Sequence, residues 1–277
     1  VDYDLSQVLF ITTANYIDSI PDALLDRMEV IEFSSYMEEE KMEIARQFLV
    51  PRQLVQHGLE GKRVRLEDEG LKSIIRQYTH EGLMDNDEVG IANGAAWTAT
   101  GGEIMLVEVN LMPGRGGLTL TGRLGNVMQE SAQAALTYTR SVADQLGIEP
   151  QTFDSVDIHI HLPEGAVPKD GPSAGVTLAT ALISAFTNCP VRRDVSMTGE
   201  ITLRGRVLPI GGLREKALAA RRVGIKTFVL PRKNESDLEE IPKRLRQDLE
   251  FVLVDSVREV LQASLLPPRE EKSAETD

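Results

Sequence analysis

The stretch from Gly212 to Val223 constrains this chain more than any other, because it puts a lysine where a helix needs an apolar residue. Stepped as an α-helix at about 100° per residue, Leu213, Ala217, Ala219, Ala220 and Val223 fall on one arc, and Arg214, Glu215, Arg221 and Arg222 on the other. Lys216 falls inside the apolar arc. Such a helix folds by burying its apolar stripe, so the rest of the chain has to receive the amine. A lone ammonium is costly to bury, and its pKa should drop from about 10.4 to roughly 5–7. A lysine that is neutral at pH 7 is a general base. The alternative is a slightly rotated helix that lets Lys216 snorkel to solvent; on periodicity alone it is the preferred reading.

A second segment changes that balance. Residues 163–180 run from a loop rich in Pro and Gly straight into a small, apolar, helix-like stretch, with Ser173 at the junction. A serine there can expose its Oγ beside free backbone N–H groups able to hold an oxyanion. Taken alone, Ser173 is better read as an ordinary N-cap. Taken with a misplaced lysine, it makes a Ser–Lys dyad a real candidate.

Composition sets the outer limits. The length of 277 residues suggests two domains or one large one, and 42% hydrophobic with 26% charged residues is ordinary globular material. No run of eighteen apolar residues occurs, and Val1-Asp2-Tyr3-Asp4 has no signal-peptide character, so no membrane span is expected. The single cysteine, Cys189, leaves no partner for an internal disulfide and fits a reducing, cytoplasmic setting. A net charge of −13 argues against broad nucleic-acid binding, apart from a local basic patch at Lys243, Arg244 and Arg246.

The chain reads as starting inside a larger unit. Val8–Thr13 and Val30–Phe33 look like buried strands. A helix over 37–57 should kink or break at Pro51, and one over 67–80 should bury Leu71, Ile74, Ile75 and Tyr78. After an acidic break at 82–88 the pattern is α+β. Strands are expected at 89–97, 103–109, 117–121, 156–162, 195–203, 226–230 and 250–254, and helices at 123–146, 173–187, 212–223, 234–246 and 256–264. Glycine pairs near 101–102 and in 113–117 read as hairpin turns.

Four stretches together carry a family resemblance: Asp157 to Gly165, Pro168 to Gly175, Met197 to Gly205, and Pro209 to Lys216. In order and spacing they resemble the proteolytic domain of Lon, the ATP-dependent AAA+ serine proteases, across essentially all of 88–264. The resemblance implies Ser173 as nucleophile, Lys216 as base and Thr198 as the residue that orients the amine. Residues 11–15 and 24–29 resemble the end of the AAA+ module, with Asn15 as the sensor residue and Arg27 as an arginine finger. Without the resemblance, Asn15 reads as a strand-end turn residue and Arg27 as part of a surface ion pair. The implied layout is an AAA+ α/β remnant over 1–33, a truncated AAA+ helical subdomain over 34–82, a linker over 83–88, the proteolytic domain over 89–266 and a disordered tail over 267–277.

The departures are specific. No Gly-x-x-x-x-Gly-Lys-Ser/Thr loop occurs in these residues, and only about seven residues separate His80 from the proteolytic domain, which reads as an internal deletion or as residues missing from the sequence. No cofactor is therefore expected in this piece, although the full-length family uses ATP and Mg²⁺. The resemblance implies unfolded or damaged proteins as substrates and a homo-hexamer as the assembly. The rival readings are a non-catalytic hexameric assembly module and a Ser–His hydrolase.

The remaining candidates have plainer alternatives. His159 and His161 alternate on a strand and could bind a metal, but no third ligand stands at a convincing spacing, so strand packing is expected and a metal is not. Lys169 and Asp170 flank the serine and could gate its loop, with a solvated charge pair as the default. Trp97 could line a substrate groove or sit in the core.

Overall fold

The computed structural model describes residues 8–13, 20–31, 36, 38–59, 66–79, 84, 86–98, 101–163 and 170–268. Before Glu38, the regular structure among the described residues is a single short helix, α1 (Asp22–Leu25). The strand expected over Val8–Thr13 is not formed: these residues are exposed coil. An apolar run becomes a strand only where a neighbour takes its hydrogen bonds and a layer covers its side chains, and none does so among the described residues. Val30 and Ile31 are likewise exposed coil, while Glu32 and Phe33 lie outside the described residues.

Helices α2 (Glu38–Ile44) and α3 (Val50–Gln56) are joined without a break by a π-helical turn over Ala45–Leu49. Pro51 follows directly, and the widened turn is how the chain accommodates a ring that cannot donate and that crowds the preceding turn. Helix α4 (Asp68–Thr79) buries Leu71 and Ile75 against Met42 and Ala45. Ile74, expected on that face, is exposed, and the Tyr78 side chain lies outside the described residues.

The rest is built on one seven-stranded sheet. Its strands are β1 (Ile91–Thr98), β2 (Gly101–Pro113), β3 (Leu118–Thr121), β4 (Val156–His161), β5 (Val195–Met197), β8 (Thr227–Pro231) and β9 (Glu250–Val254), in the order β3-β4-β2-β1-β5-β8-β9. A separate antiparallel pair, β6 (Glu200–Ile201) and β7 (Val207–Leu208), stands beside it. The pairs β1·β5, β5·β8, β8·β9 and β3·β4 are parallel, whereas β1·β2 and β2·β4 are antiparallel. Helices α5 (Asn126–Ser141), α6 (Thr152–Ser155), α7 (Gly175–Thr187), α8 (Leu213–Arg222), α9 (Lys243–Arg246) and α10 (Val257–Ser264) complete the elements.

Alternation along the strands divides the core in two. Ala92, Met105, Val107, Val229 and Val254 face α5, α7 and α10, whereas Ala95, Ile104, Phe228 and Leu230 face α8. With helices on both faces and most strand pairs parallel, the fold is mixed α/β rather than the α+β arrangement expected. Parallel neighbours cannot be joined by hairpins, so the connections cross over the sheet as helices. Helix α7 is apolar nearly all round because it packs on β1 and β2 below and on α5 and α10 at its sides.

Several expected elements are subdivided. The strand expected over 195–203 leaves the main sheet after Met197 and resumes as β6. The helix expected over 234–246 is a 3₁₀ turn over Ser236–Glu240 followed by α9, with Pro242 between them. The 113–117 turn is not a hairpin, because β4 lies between β2 and β3. Asp157 Oδ1 holds this loop by accepting from the N–H groups of Arg115 at 2.9 Å and Gly117 at 2.8 Å. A Cβ on Gly114 would lie 2.1 Å from the Asp157 carboxyl carbon, so that carboxylate needs the glycine. No helix of the described residues is long and apolar enough to cross a membrane.

Candidate active site

Helix α8 starts at Gly212, whose φ of +66° suits glycine, and carries Lys216 one turn in. The apolar arc read from the sequence is buried: Leu213, Ala217, Ala219 and Ala220 join the core on this side of the sheet, and Lys216 is only 2% exposed. The lysine does not snorkel. Its position is set by a close approach that the sequence reading missed, since a Cβ on Gly102 of β2 would lie 2.0 Å from the Glu215 carbonyl oxygen and 2.9 Å from the Lys216 nitrogen. The Gly-Gly pair at 101–102, read as a turn, lies in the first two positions of β2, where its lack of side chain lets the α8 backbone touch the strand. The Arg222 guanidinium donates to the Gly102 carbonyl at 3.0 Å and fastens the far end of the helix to the same residue.

The Lys216 amine ends between two hydroxyls. Its Nζ lies 3.1 Å from Ser173 Oγ and 3.3 Å from Thr198 Oγ1. Burial pushes its pKa down to about 8. That is a smaller drop than the sequence suggests.

Ser173 stands in a 3₁₀ turn, Pro172–Ala174, that runs into α7. Its carbonyl accepts from the Gly199 N–H at 2.8 Å and lies 3.4 Å from the Thr198 hydroxyl, while the Val176 N–H donates to the Gly199 carbonyl at 3.0 Å. The departure of the chain from the sheet after β5 thus brings Thr198 and Gly199 against the serine turn. Thr198 is fully buried, and its N–H is fixed to the Val229 carbonyl of β8 at 3.0 Å. The turn therefore hangs from the carboxyl end of β5, and Thr198 touches both halves of the Ser–Lys pair.

Asp170 anchors the other side of the serine loop. Its Oδ1 accepts from the N–H groups of Met128 at 3.0 Å and Gly171 at 2.9 Å. Met128 is in the first turn of α5, whose own N-cap is Gly125 with no side chain to offer. Asp170 supplies that cap from across the fold, and a Cβ on Gly125 would come within 2.3 Å of its carboxyl carbon. Gly171 has φ +127°, a backbone region held by glycine. Asp170 is thus a loop anchor; Lys169, its partner in the expected charge pair, lies outside the described residues. An aspartate three residues before the serine was the available signal, but its partner helix could not be read locally.

The other candidates are dispersed. Trp97 is 60% exposed, and its ring lies over Gly212 at the start of α8, so it is not a core residue. His159 and His161 both hydrogen-bond to the Thr121 hydroxyl, whereas Ser173 Oγ bonds to Lys216. Arg27 is exposed in the turn after α1, and Asn15 lies outside the described residues. Among the described residues no group of three or more His, Cys, Asp and Glu side chains is arranged to hold a metal.

The sequence profile of the Lon protease (S16) C-terminal proteolytic domain matches residues 67–267. The Lon protease of Syntrophomonas wolfei is 48% identical over 314 aligned positions, covering 96% of this chain and 39% of that protein. The Lon protease of Geobacter metallireducens is 48% identical over 316 positions, with 96% of this chain and 38% of that protein covered. For the Lon protease of Dictyoglomus thermophilum the figures are 45% over 319 positions, 98% and 40%. The chain spans about two fifths of the length of these relatives. Each alignment is also longer than the 277 residues of the chain, so the relatives carry additional residues inside the matched span. A profile covering most of the chain, together with near-half identity along almost all of it, shows that this chain belongs to the Lon protease family and contains its C-terminal proteolytic domain.

Proposed function

We propose that this chain is a serine endopeptidase working through a Ser173–Lys216 dyad on unfolded polypeptide. The observation that carries the reading is the 3.1 Å separation of Lys216 Nζ from Ser173 Oγ, with the amine buried and its pKa brought down to about 8. A neutral amine has one lone pair and two protons. The lone pair takes the Ser173 proton as Oγ attacks a peptide carbonyl, and one N–H donates to Thr198 Oγ1, which aims the lone pair at the serine. The resulting ammonium protonates the departing amine, and the ester on Ser173 is then hydrolysed by a water that the same Nζ deprotonates.

The Gly175 and Val176 amides already donate to the Pro172 and Gly199 carbonyls. That leaves the Ser173 and Ala174 N–H groups of the serine turn as the proposed donors to the oxyanion. Trp97, exposed at the start of α8, would form one wall of the groove for an extended substrate. Asn15 and Arg27 would have sensing roles only beside a phosphate loop, which these residues lack, so nucleotide coupling is assigned to the longer family proteins, while a homo-hexamer is the assembly proposed for this chain. The working compartment would be the cytoplasm.

A peptidyl boronate tests the dyad directly. Mass spectrometry after digestion should find the adduct on Ser173 in the parent chain and no adduct in Ser173→Ala. Lys216→Ala should abolish peptide cleavage, and the double variant should be no worse than either single one, because the two residues act as a unit. An adduct on a different residue, or a Lys216→Ala chain that keeps most of its activity, would reject the assignment.

A further inference from the structure

Strand β4 carries His159 and His161 on the face of the sheet turned away from α5 and α7. Ile158 and Ile160 are fully buried in the main core, so alternation sends both imidazoles out of the opposite side. The strand is hydrogen-bonded along both edges, to β3 and to β2, which fixes the backbone under both rings. On β3, Thr121 stands opposite His161. Its Oγ1 lies 2.9 Å from His159 Nε2 and 2.7 Å from His161 Nδ1.

Two different ring nitrogens are therefore aimed at one point from a rigid base. The hydroxyl has one proton and can donate to only one of them, so the other nitrogen must donate to the hydroxyl. In a neutral pair one imidazole lone pair points here and accepts the Thr121 O–H. The second appears when the other ring shifts its proton to the nitrogen on its far side, which leaves the ring neutral. Both rings are half-buried, so solvent reaches them.

We propose that His159 and His161, with Thr121 between them, form a binding site for a divalent transition metal of the imidazole-preferring kind: Zn²⁺, Ni²⁺ or Cu²⁺. No third His, Cys, Asp or Glu ligand joins them among the described residues. The geometry does not require one: when the Thr121 hydroxyl that the two nitrogens now share gives up its hydrogen bonds to them, both can turn to one metal, and water fills the remaining positions. Neighbouring charges agree with this choice. Glu108 of β2 stands opposite His161 in the register and adds negative charge nearby. Asp157, two residues before His159, is already engaged by the 114–117 loop. A shell with so few carboxylates is wrong for Mg²⁺ or Ca²⁺, which want oxygen ligands, and suits metals that favour nitrogen. The dyad's hydrogen bonds run among Ser173, Lys216 and Thr198 and do not include these rings.

The chain is well suited to a clean test, since it has four histidines and one cysteine. The tag-free full chain should bind one equivalent of Cu²⁺ or Ni²⁺ in a saturable calorimetric titration and give no saturable signal with Mg²⁺. The electron paramagnetic resonance spectrum of the Cu²⁺-loaded parent should report two imidazole nitrogens, a readout that needs no variant to fold. His159→Ala and His161→Ala should each lose at least about tenfold in affinity, the loss that removal of even an outer-sphere partner produces. His57→Ala should bind like the parent. Absence of saturable Cu²⁺ and Ni²⁺ binding up to about 1 mM, the weak end of specific affinity, would overturn the proposal. So would a spectrum with fewer than two imidazole nitrogens, or a His159→Ala chain that binds as tightly as the parent.

Discussion

Lys216 is the residue where stability and chemistry pull in opposite directions. Burial penalises its ammonium and not its amine, which is why its pKa comes down to about 8. Peptide cleavage should therefore rise with pH through about 8 and then level off, as the rate of hydrolysis of a short fluorogenic peptide across pH 6–10 will show. The effect on stability follows from the same drop. The unfolded chain holds this proton up to the free value near 10.5 and the folded chain only up to about 8, so the unfolded state binds more protons between these limits. Folding then carries a penalty of about 3 kcal/mol below pH 8, which fades as pH rises toward 10.5. Lys216→Met keeps the length and removes the charge. It should be inactive, and at pH 7 at least as stable as the parent in thermal melts, with the advantage shrinking by pH 10. A clear drop in melting temperature would instead make the bonds to Ser173 and Thr198 structural, and Thr198→Val should then reproduce that drop.

At the level of elements, the dyad depends on two close approaches of backbone. Gly102→Ala would drive a Cβ into the α8 backbone at Glu215 and Lys216, and no side chain there can yield. A loss on the order of 1–3 kcal/mol is expected, with kcat falling more than KM because the amine moves relative to Ser173; a variant that melts and cuts like the parent would remove Gly102 from this role. Asp170→Ala should cost about 1 kcal/mol, the usual value of a helix cap, and lower kcat by freeing the serine loop. Asp170→Asn keeps an acceptor for the Met128 N–H and should recover most of both. These contacts also mark what sequence could and could not tell. The burial of α8 was legible because periodicity is local: Leu213, Ala217 and Ala220 announce the face and Lys216 breaks it. The serine turn was legible because Gly171 and Pro172 punctuate the start of α7. The pairing of Gly102 with Glu215 and of Asp170 with α5 joins residues far apart in the chain, and no periodicity encodes it. The insertion of β4 between β2 and β3 escaped for the same reason. Val8–Thr13 misled in the opposite sense, since a β-rich composition says nothing of whether a partner strand is there.

For the molecule as a whole, the site and its possible motor part company. Ser173, Thr198 and Lys216 are held by β5, β8, α7 and α8, all within the matched proteolytic domain. Nothing in the 277 residues offers a phosphate loop. Short unstructured peptides should therefore be cut without nucleotide, and added ATP should leave the rate unchanged. A folded substrate should fare very differently. The scissile carbonyl has to reach about 3 Å from Ser173 Oγ in a near-attack geometry, which a peptide inside a helix or sheet cannot do until it opens. A substrate domain stable by about 5 kcal/mol is open roughly once in 10³–10⁴ molecules, and its cleavage should be slower than that of its unfolded form by about that factor. Parallel assays on one substrate, native and permanently unfolded by reduction and alkylation, would measure the ratio. If ATP raised the cleavage of the native form by this chain, or if purified chain hydrolysed ATP while a mock preparation carried through the same purification without the chain did not, an energy-coupling element would have to exist in these residues, and the separation of site from motor would be wrong.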